Sequence, residues 1–416
     1  LGKVFPQASN DAAVCCCVND YKATTRRLFI TCIASFEVCE SLFPRACFAQ
    51  YQAQRFFPAH HQSRPARRRG NEILRWAGIS DSVTTMSADL LNEPLLVTGS
   101  YDHTIRVWQP YSSLCVRNMQ HVDSQVNSLD ISPKRNLLAA CGYQQIRLYD
   151  LNSNYPILNF EGVTKNVTRI GFQEDAKWMF TGGEDGKVRI WDMSSPQPAC
   201  KRIFDCLSPV NAVCLLPNQV ELLIAHQGGG IYLWDVKSDQ HDHLLPEVEC
   251  SILDVAVSPN GAYMAAINNK GNCFIWTLTS WSGPPGQETQ LTRSEAKLKI
   301  QAHEKYALRC KFSPDSSLLV TCSGDGTARI YNTDTWTLHA ELRIPRFWMW
   351  DAAFNNDSKY LFTASSDNLA RLWRIDTKTV EREYNGHLKA VTALAFRDEP
   401  IRSSTDTTGT GLSSTH

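Results

Sequence analysis

Ile105-Arg-Val-Trp108, Ile146-Arg-Leu-Tyr149, Val188-Arg-Ile-Trp191, Ile231-Tyr-Leu-Trp234, Cys273-Phe-Ile-Trp276, Ala328-Arg-Ile-Tyr331 and Ala370-Arg-Leu-Trp373 are seven versions of one phrase, a short apolar run closing on an aromatic ring. Successive aromatic ends lie 41, 42, 43, 42, 55 and 42 residues apart. A repeat of ~40–45 residues holding four short strands is the unit of a β-propeller, so seven of them predict an all-β, seven-bladed ring. The long interval marks an insertion, and Trp281-Ser-Gly-Pro-Pro-Gly286 supplies its loop chemistry. Ahead of the aromatic phrases stand tight polar turns: Ser100-Tyr-Asp102, Gly183-Glu-Asp-Gly186, Gly228-Gly-Gly230, Gly324-Asp-Gly326 and Ser366-Asp-Asn368. Gly, Asn and Asp tolerate the left-handed backbone that such hairpins need.

The two ends of the repeat region complement each other. The first unit has two strands, around Leu95–Gly99 and Thr104–Trp108, with no convincing strand before them. The last apolar run, Ala390-Val-Thr-Ala-Leu-Ala-Phe396, reads as an inner strand with nothing after it. Pairing the two completes a blade and removes an open sheet edge. The expected ring therefore spans residues 90–398, closed by a C-terminal strand that completes the first blade.

Outside the ring the text changes character. Residues 1–85 show no sustained period and carry 11 Lys+Arg against 6 Asp+Glu, leaving 31 against 36 for the remainder. The first methionine is Met86. Residues 1–85 are read either as a disordered basic arm or as non-native upstream translation, and the missing methionines favour the second. Residues 399–416, rich in Ser, Thr and Gly, read as a disordered tail.

Composition narrows function. Lys+Arg and Asp+Glu both number 42, which argues against a basic nucleic-acid-binding surface. No apolar run reaches the ~18 residues of a membrane helix, so direct membrane insertion is not expected. The 15 cysteines form no C-x-x-C pair; those inside strand-like runs, such as Cys141 and Cys310, behave as small hydrophobes, and reduced thiols in an intracellular protein are expected. Gln227-Gly-Gly-Gly230 lacks a phosphate loop's Lys and following helix. His241-Asp-His243 has metal-capable side chains but reads as a solvated connecting segment. No metal, cofactor or small-molecule substrate is expected, and the chain reads as a non-enzyme.

Two polar sets imitate catalytic constellations: His387 with Asp102 and Trp108, and His303 with Asp325 and Tyr331. A catalytic set occurs once, whereas these recur with the repeat. They resemble the His–Ser/Thr–Asp–Trp hydrogen-bond chain of WD40 blades, which is structural when every member is satisfied. The arginines before the aromatic ends (Arg106, Arg147, Arg189, Arg329 and Arg371) are likewise read as stems packed between blades rather than as a phosphate-binding ring.

Binding is expected on the face bearing the loops between blades, where exposed aromatic residues dominate interface energetics. Phe347-Trp-Met-Trp-Asp351 is the foremost candidate, with Trp348 and Trp350 projecting to one side of the strand. Two readings stand side by side, an exposed contact or packing between blades. Gln125, in a polar approach to the second blade, and Tyr306 and Asn166, at matching positions, complete the candidate partner-binding set.

Longer phrases carry a more specific resemblance. Asp123-Ser-Gln-Val-Asn127, Thr181-Gly-Gly-Glu-Asp185, Phe312-Ser-Pro-Asp-Ser316, Trp348-Met-Trp350 and Ser365-Ser-Asp-Asn-Leu-Ala-Arg-Leu-Trp373 make residues 95–398 similar to the G-beta-like WD40 subunits of target of rapamycin kinase complexes. The resemblance implies a non-catalytic subunit shared by both complexes, seated on the kinase domain's C-terminal lobe and supporting growth and nutrient signalling. It implies kinase contacts at Gln125, Trp348 and Trp350, and a cytoplasmic location with partner-dependent association to lysosomal or other internal membranes. The sequence departs from the family in residues 1–85, in the tail and in a short approach to the tryptophans, Ile344-Pro-Arg-Phe347. The competing reading is a WD40 subunit that recruits substrates to a ubiquitin ligase; residues 1–85 show none of the helical periodicity of an F-box-like module.

Overall fold

In a computed structural model, the structure describes residues 93–195, 198–247, 249–279 and 291–398. Expectations for residues 1–85, for the loop chemistry at 281–286 and for residues 399–416 fall outside this range. Among the described residues, seven antiparallel four-stranded sheets form a seven-bladed propeller. In the first blade the order is Val391–Arg397, Leu95–Ser100, Thr104–Gln109, Leu114–Gln120, so the C-terminal strand is the innermost and closes the ring. Its register runs from Leu95 opposite Arg397 to Ser100 opposite Val391.

Each phrase forms the third strand of its blade, and its aromatic residue is enclosed: Trp108, Tyr149 and Trp234 are 2%, 0% and 0% exposed. Apolar residues of neighbouring sheets interdigitate to form the core. Leu138, Ala140 and Tyr149 of the second blade pack with Leu95, Val97 and Ile105 of the first. Charged and polar residues fall instead on the outermost strands, such as Ala199–Asp205, whose exposure is nearly continuous. The pattern follows from burial of each sheet on both faces except at the ring's periphery.

One expectation is corrected here. His241-Asp-His243 is not a connecting segment but part of the outer strand His241–Leu244, paired with Ile231–Asp235. Outer strands bury little, so this one carries no apolar alternation to announce it.

The inner strands share a device. In every blade the second residue of the inner strand bulges out of register: Asn127, Thr168, Asn211, Leu253, Leu308, Trp350 and Thr392. A bulge re-aims its side chain. In four blades that side chain is polar and clasps the next inner strand. Asn127 Nδ2 donates to the Val167 carbonyl at 2.8 Å, Thr168 Oγ1 to Val210 at 2.8 Å, Asn211 Nδ2 to Ile252 at 2.6 Å and Thr392 Oγ1 to Val126 at 2.6 Å. Leu253 and Leu308 have no such group, and the Trp350 indole N–H meets no acceptor among the described residues, so the last three blades lack the clasp.

Deeper along the axis lies a charged network absent from the sequence reading. Asp130, Asp254 and Asp351 each accept a backbone N–H from the next inner strand: Phe172 at 2.7 Å, Cys310 at 2.9 Å and Leu394 at 2.9 Å. Arg169 pairs with Asp254, and Lys311 reaches Asp351 at 3.0 Å. Asp130 forms no ion pair with a described cation, and burial pushes its carboxyl up to about 6.

That shift has a sign. A carboxyl raised above its ordinary ~3.9 binds more protons folded than unfolded, so its stability contribution is lost as pH rises from ~4 through 6. Asp130→Asn keeps an acceptor for the Phe172 N–H without the buried charge. The variant is expected to match the parent near pH 4 and exceed its stability at pH 7 by on the order of 1–3 kcal/mol. Urea unfolding at several pH values reads the difference; parallel profiles would show that the Asp130 charge costs nothing.

Candidate functional site

The polar sets brace the rim on which a site could stand. Trp108 Nε1–H donates to Thr98 Oγ1 at 2.9 Å, and Thr98 Oγ1 lies 2.7 Å from His387 Nε2. His387 Nδ1 faces Asp102 Oδ2 at 3.1 Å, and Asp102 also accepts the Leu388 N–H at 2.8 Å. These partners place the His387 proton on Nδ1. Burial raises the Asp102 carboxyl, but the bonds from His387, Thr104 and Leu388 outweigh it and hold the group well below the usual carboxylate range. The chain thus staples the C-terminal approach to the first blade's turn, with no free nucleophile. A Ser or Thr between base and aromatic is here an internal link, not an attacking group.

His303 repeats the arrangement, with Nδ1 at 3.1 Å from Asp325 Oδ2 and Nε2 at 2.8 Å from Thr321 Oγ1. Tyr331 is the exception, standing outside the chain: its hydroxyl faces the Ala302 carbonyl at 3.5 Å. A phenol places its O–H at the far end of the ring, where an indole N–H would turn inward. The arginine before the aromatic behaves similarly in two blades. Arg189 pairs with Asp185 at 2.6 Å and Arg371 with Asp367 at 2.7 Å, both inside the rim.

On the face carrying the inter-blade loops, four rings form a row across three blades. Tyr306 and Trp348 have centroids 6.3 Å apart, Trp348 and Trp350 5.3 Å, and Trp350 meets Tyr101 edge-on at 6.2 Å. All four are half-buried, while Met349 between the tryptophans is enclosed. Both sequence readings of Trp348 and Trp350 therefore describe part of their placement: they bridge blades and remain accessible. Tyr101 was visible in sequence only as a turn residue; its distance from Trp350 along the chain hides the contact.

The short approach to the tryptophans closes as a turn. The Phe347 N–H meets the Ile344 carbonyl at 3.4 Å, with Arg346 at φ 73°. Gly326, at φ 84°, lies against it, and a Cβ there would stand 2.5 Å from the Ile344 oxygen. Phe347 is left 42% exposed beside the row.

Gln125 is half-buried, and its Nε2 is enclosed without a hydrogen-bond partner among the described residues; Trp350 Nε1 is in the same state. A buried donor left unpaired costs about 1–3 kcal/mol, which an incoming acceptor would recover. Asn166 is different. It is 7% exposed, its Nδ2 donates to Glu184 at 2.9 Å, and its Oδ1 accepts from Asn127 at 2.6 Å. Its amide helps organise the rim, where the Asn127 clasp of the preceding blade ends on it.

The WD domain, G-beta repeat family matches residues 72–109, 113–150, 154–192, 294–332 and 337–374. A Drosophila melanogaster protein, "Protein LST8 homolog", is 58% identical over 310 residues, covering 74% of this chain and 97% of the relative. "Target of rapamycin complex subunit LST8" of Bos taurus is 51% identical over 317 residues, covering 74% and 96%. This chain belongs to the LST8 family. A fission-yeast relative, "Target of rapamycin complex subunit wat1" of Schizosaccharomyces pombe (strain 972 / ATCC 24843), is 43% identical over 253 residues, 60% of this chain and 78% of its own.

The repeat pattern leaves residues 193–293 unmatched, yet blades form there too. Trp234 of the fourth blade is anchored differently. Its Nε1–H donates to Asp239 at 2.8 Å, whereas Trp108, Trp191 and Trp373 donate to a Thr on the neighbouring strand.

Proposed function

We propose that this LST8-family chain is a non-catalytic scaffold subunit of both target of rapamycin kinase complexes, binding and stabilising the kinase domain. The observation that carries the reading is the row Tyr306–Trp348–Trp350–Tyr101, flanked by unpartnered donors on Trp350 and Gln125. Half-buried aromatic residues ringed by polar groups are what dominate protein interfaces. The names of the bovine and fission-yeast relatives support the choice of partner. The polar cluster His387–Asp102 of the rim is repeated at His303–Asp325, and both bind strands together, which supports a scaffold rather than an enzyme. The chain acts in the cytoplasm and reaches lysosomal or other internal membranes through its partners.

Affinity purification from native extract with mass spectrometry tests this. The expected result is recovery of the kinase together with regulatory subunits of both complexes. A ubiquitin-ligase adaptor recovered in place of a large kinase would overturn it.

A further inference from the structure

On the fourth blade, three adjacent strands bring two histidines together. His226 ends the strand Glu221–His226, His243 lies on the outer strand His241–Leu244, and Ile231–Asp235 runs between them. Their imidazole rings are nearly parallel, 15° between planes with centroids 5.8 Å apart. Tyr232, opposite His243 in register, closes one side at 5.3 Å from the His226 ring and 4.5 Å from the His243 ring.

Gly230 explains the approach. A Cβ there would stand 2.2 Å from His243 Nε2 and 2.4 Å from His226 Nε2, so both nitrogens converge on the notch that the missing side chain leaves. His226 is 7% exposed, and its Nε2 is enclosed with no partner among the described residues. His243 is exposed, which gives the notch a mouth. Burial, with His243 alongside, pushes the His226 pKa down, so the ring is neutral at ordinary pH.

We propose that His226 Nε2 and His243 Nε2 together bind a divalent transition-metal ion that prefers nitrogen ligands, zinc or copper(II), with water completing its shell. Imidazole suits both metals, and zinc keeps ~2.0–2.1 Å from each histidine nitrogen. The ion lies outward of the Gly230 notch, between the rings. Among the described residues no group of three or more His, Cys, Asp or Glu side chains is placed to hold an ion, so this is a two-ligand site with open positions. His241 takes no part: its ring turns onto Phe204, at 5.4 Å and 75°.

Loading has a proton step that the structure provides for. The Gly228 N–H is shared between His226 Nδ1 and Ser208 Oγ, each at 3.1 Å. In the metal-free ring the proton therefore sits on Nε2. When the ion takes the Nε2 lone pair, that proton passes to Nδ1 and the Gly228 N–H moves wholly to Ser208. Ser208 is thereby a positioning residue, which supplies the acceptor the amide needs in the loaded state.

Calorimetric titration of tag-free full chain with zinc chloride at pH 7.5 tests the site. His243→Gln, at an exposed position, is expected to lower the stoichiometry by one equivalent with an unchanged melting profile. His241→Gln should keep the parent stoichiometry, and Ser208→Ala should weaken that one equivalent at least tenfold. An unchanged stoichiometry in His243→Gln overturns the proposal even if cysteines elsewhere bind zinc, as does loss of the same equivalent in His241→Gln.

Discussion

A chain carrying Val391→Asp is expected to lose its cooperative melt, with destabilisation on the order of 3–5 kcal/mol or more. Val391 is 0% exposed and packs with Leu96, Trp108, Tyr384 and Leu394 at the seam between the last blade and the first. An aspartate there would stand among the apolar side chains of the seam, so folding would bury a charge in them or expel the strand. Expulsion is costly beyond the one residue. Leu95–Ser100 would lose its inner partner along six register positions, exposing a sheet edge to the axis. The bonds from Tyr101 N–H to the Ala390 carbonyl and from Ser100 Oγ to the Lys389 carbonyl would go with it. So would His387, which ties the same segment to Thr98 and Asp102. With native stabilities of only ~5–15 kcal/mol, that combination opens the ring. Calorimetry and near-ultraviolet circular dichroism read the outcome, with Val391→Ala as a milder comparison. A cooperative transition at the parent's temperature would mean that the C-terminal strand does not hold the seam.

The seam could be read from sequence because its parts are local and repeated. A strand lacking a partner at one end and a pair lacking one at the other are visible without knowing any distance. Arrangements made only by the ring's curvature were not. Asp130 meets Phe172, Asp254 meets Cys310 and Asp351 meets Leu394 across 42, 56 and 43 residues, and each is the one charged residue of its strand. His226 and His243 are separated by a whole strand and a loop, and the two histidines of His241-Asp-His243 turn to different neighbours, Phe204 and His226. Asn166 looked like Gln125 and Tyr306 by position, yet the Asn127 clasp consumes it. Tyr331 matched Trp108 by position, but a phenol cannot place its donor where an indole does. The repeat register thus locates residues on the rim, whereas their availability depends on neighbours one blade away.

The same distinction decides what Trp348→Ala with Trp350→Ala should do. The double variant is expected to lose kinase capture by a factor of a hundred or more, since two interface hot spots of ~2 kcal/mol each exceed two decades of affinity. Its fold should survive, because the enclosed residue of this segment is Met349, which is retained at 0% exposure. The Trp348 backbone keeps its bonds to Ser366, through the N–H at 2.8 Å and the carbonyl at 3.0 Å. What is lost is the row itself: the contacts to Tyr306 and Tyr101, and the unpaired indole N–H. Removing that donor relieves the free chain of an unsatisfied buried group while removing a bond available to a partner. Stability and binding should therefore separate, with a melting temperature near the parent's alongside failed capture. Pull-down from extract and thermal melting of the same preparations measure both, and capture at the parent's level would remove the row from the interface. Replacing Trp350 alone by Phe sharpens the point. The ring's packing on Trp348 is then kept and only the N–H is absent, so a loss of capture in that variant assigns the partner a hydrogen-bond acceptor at this position.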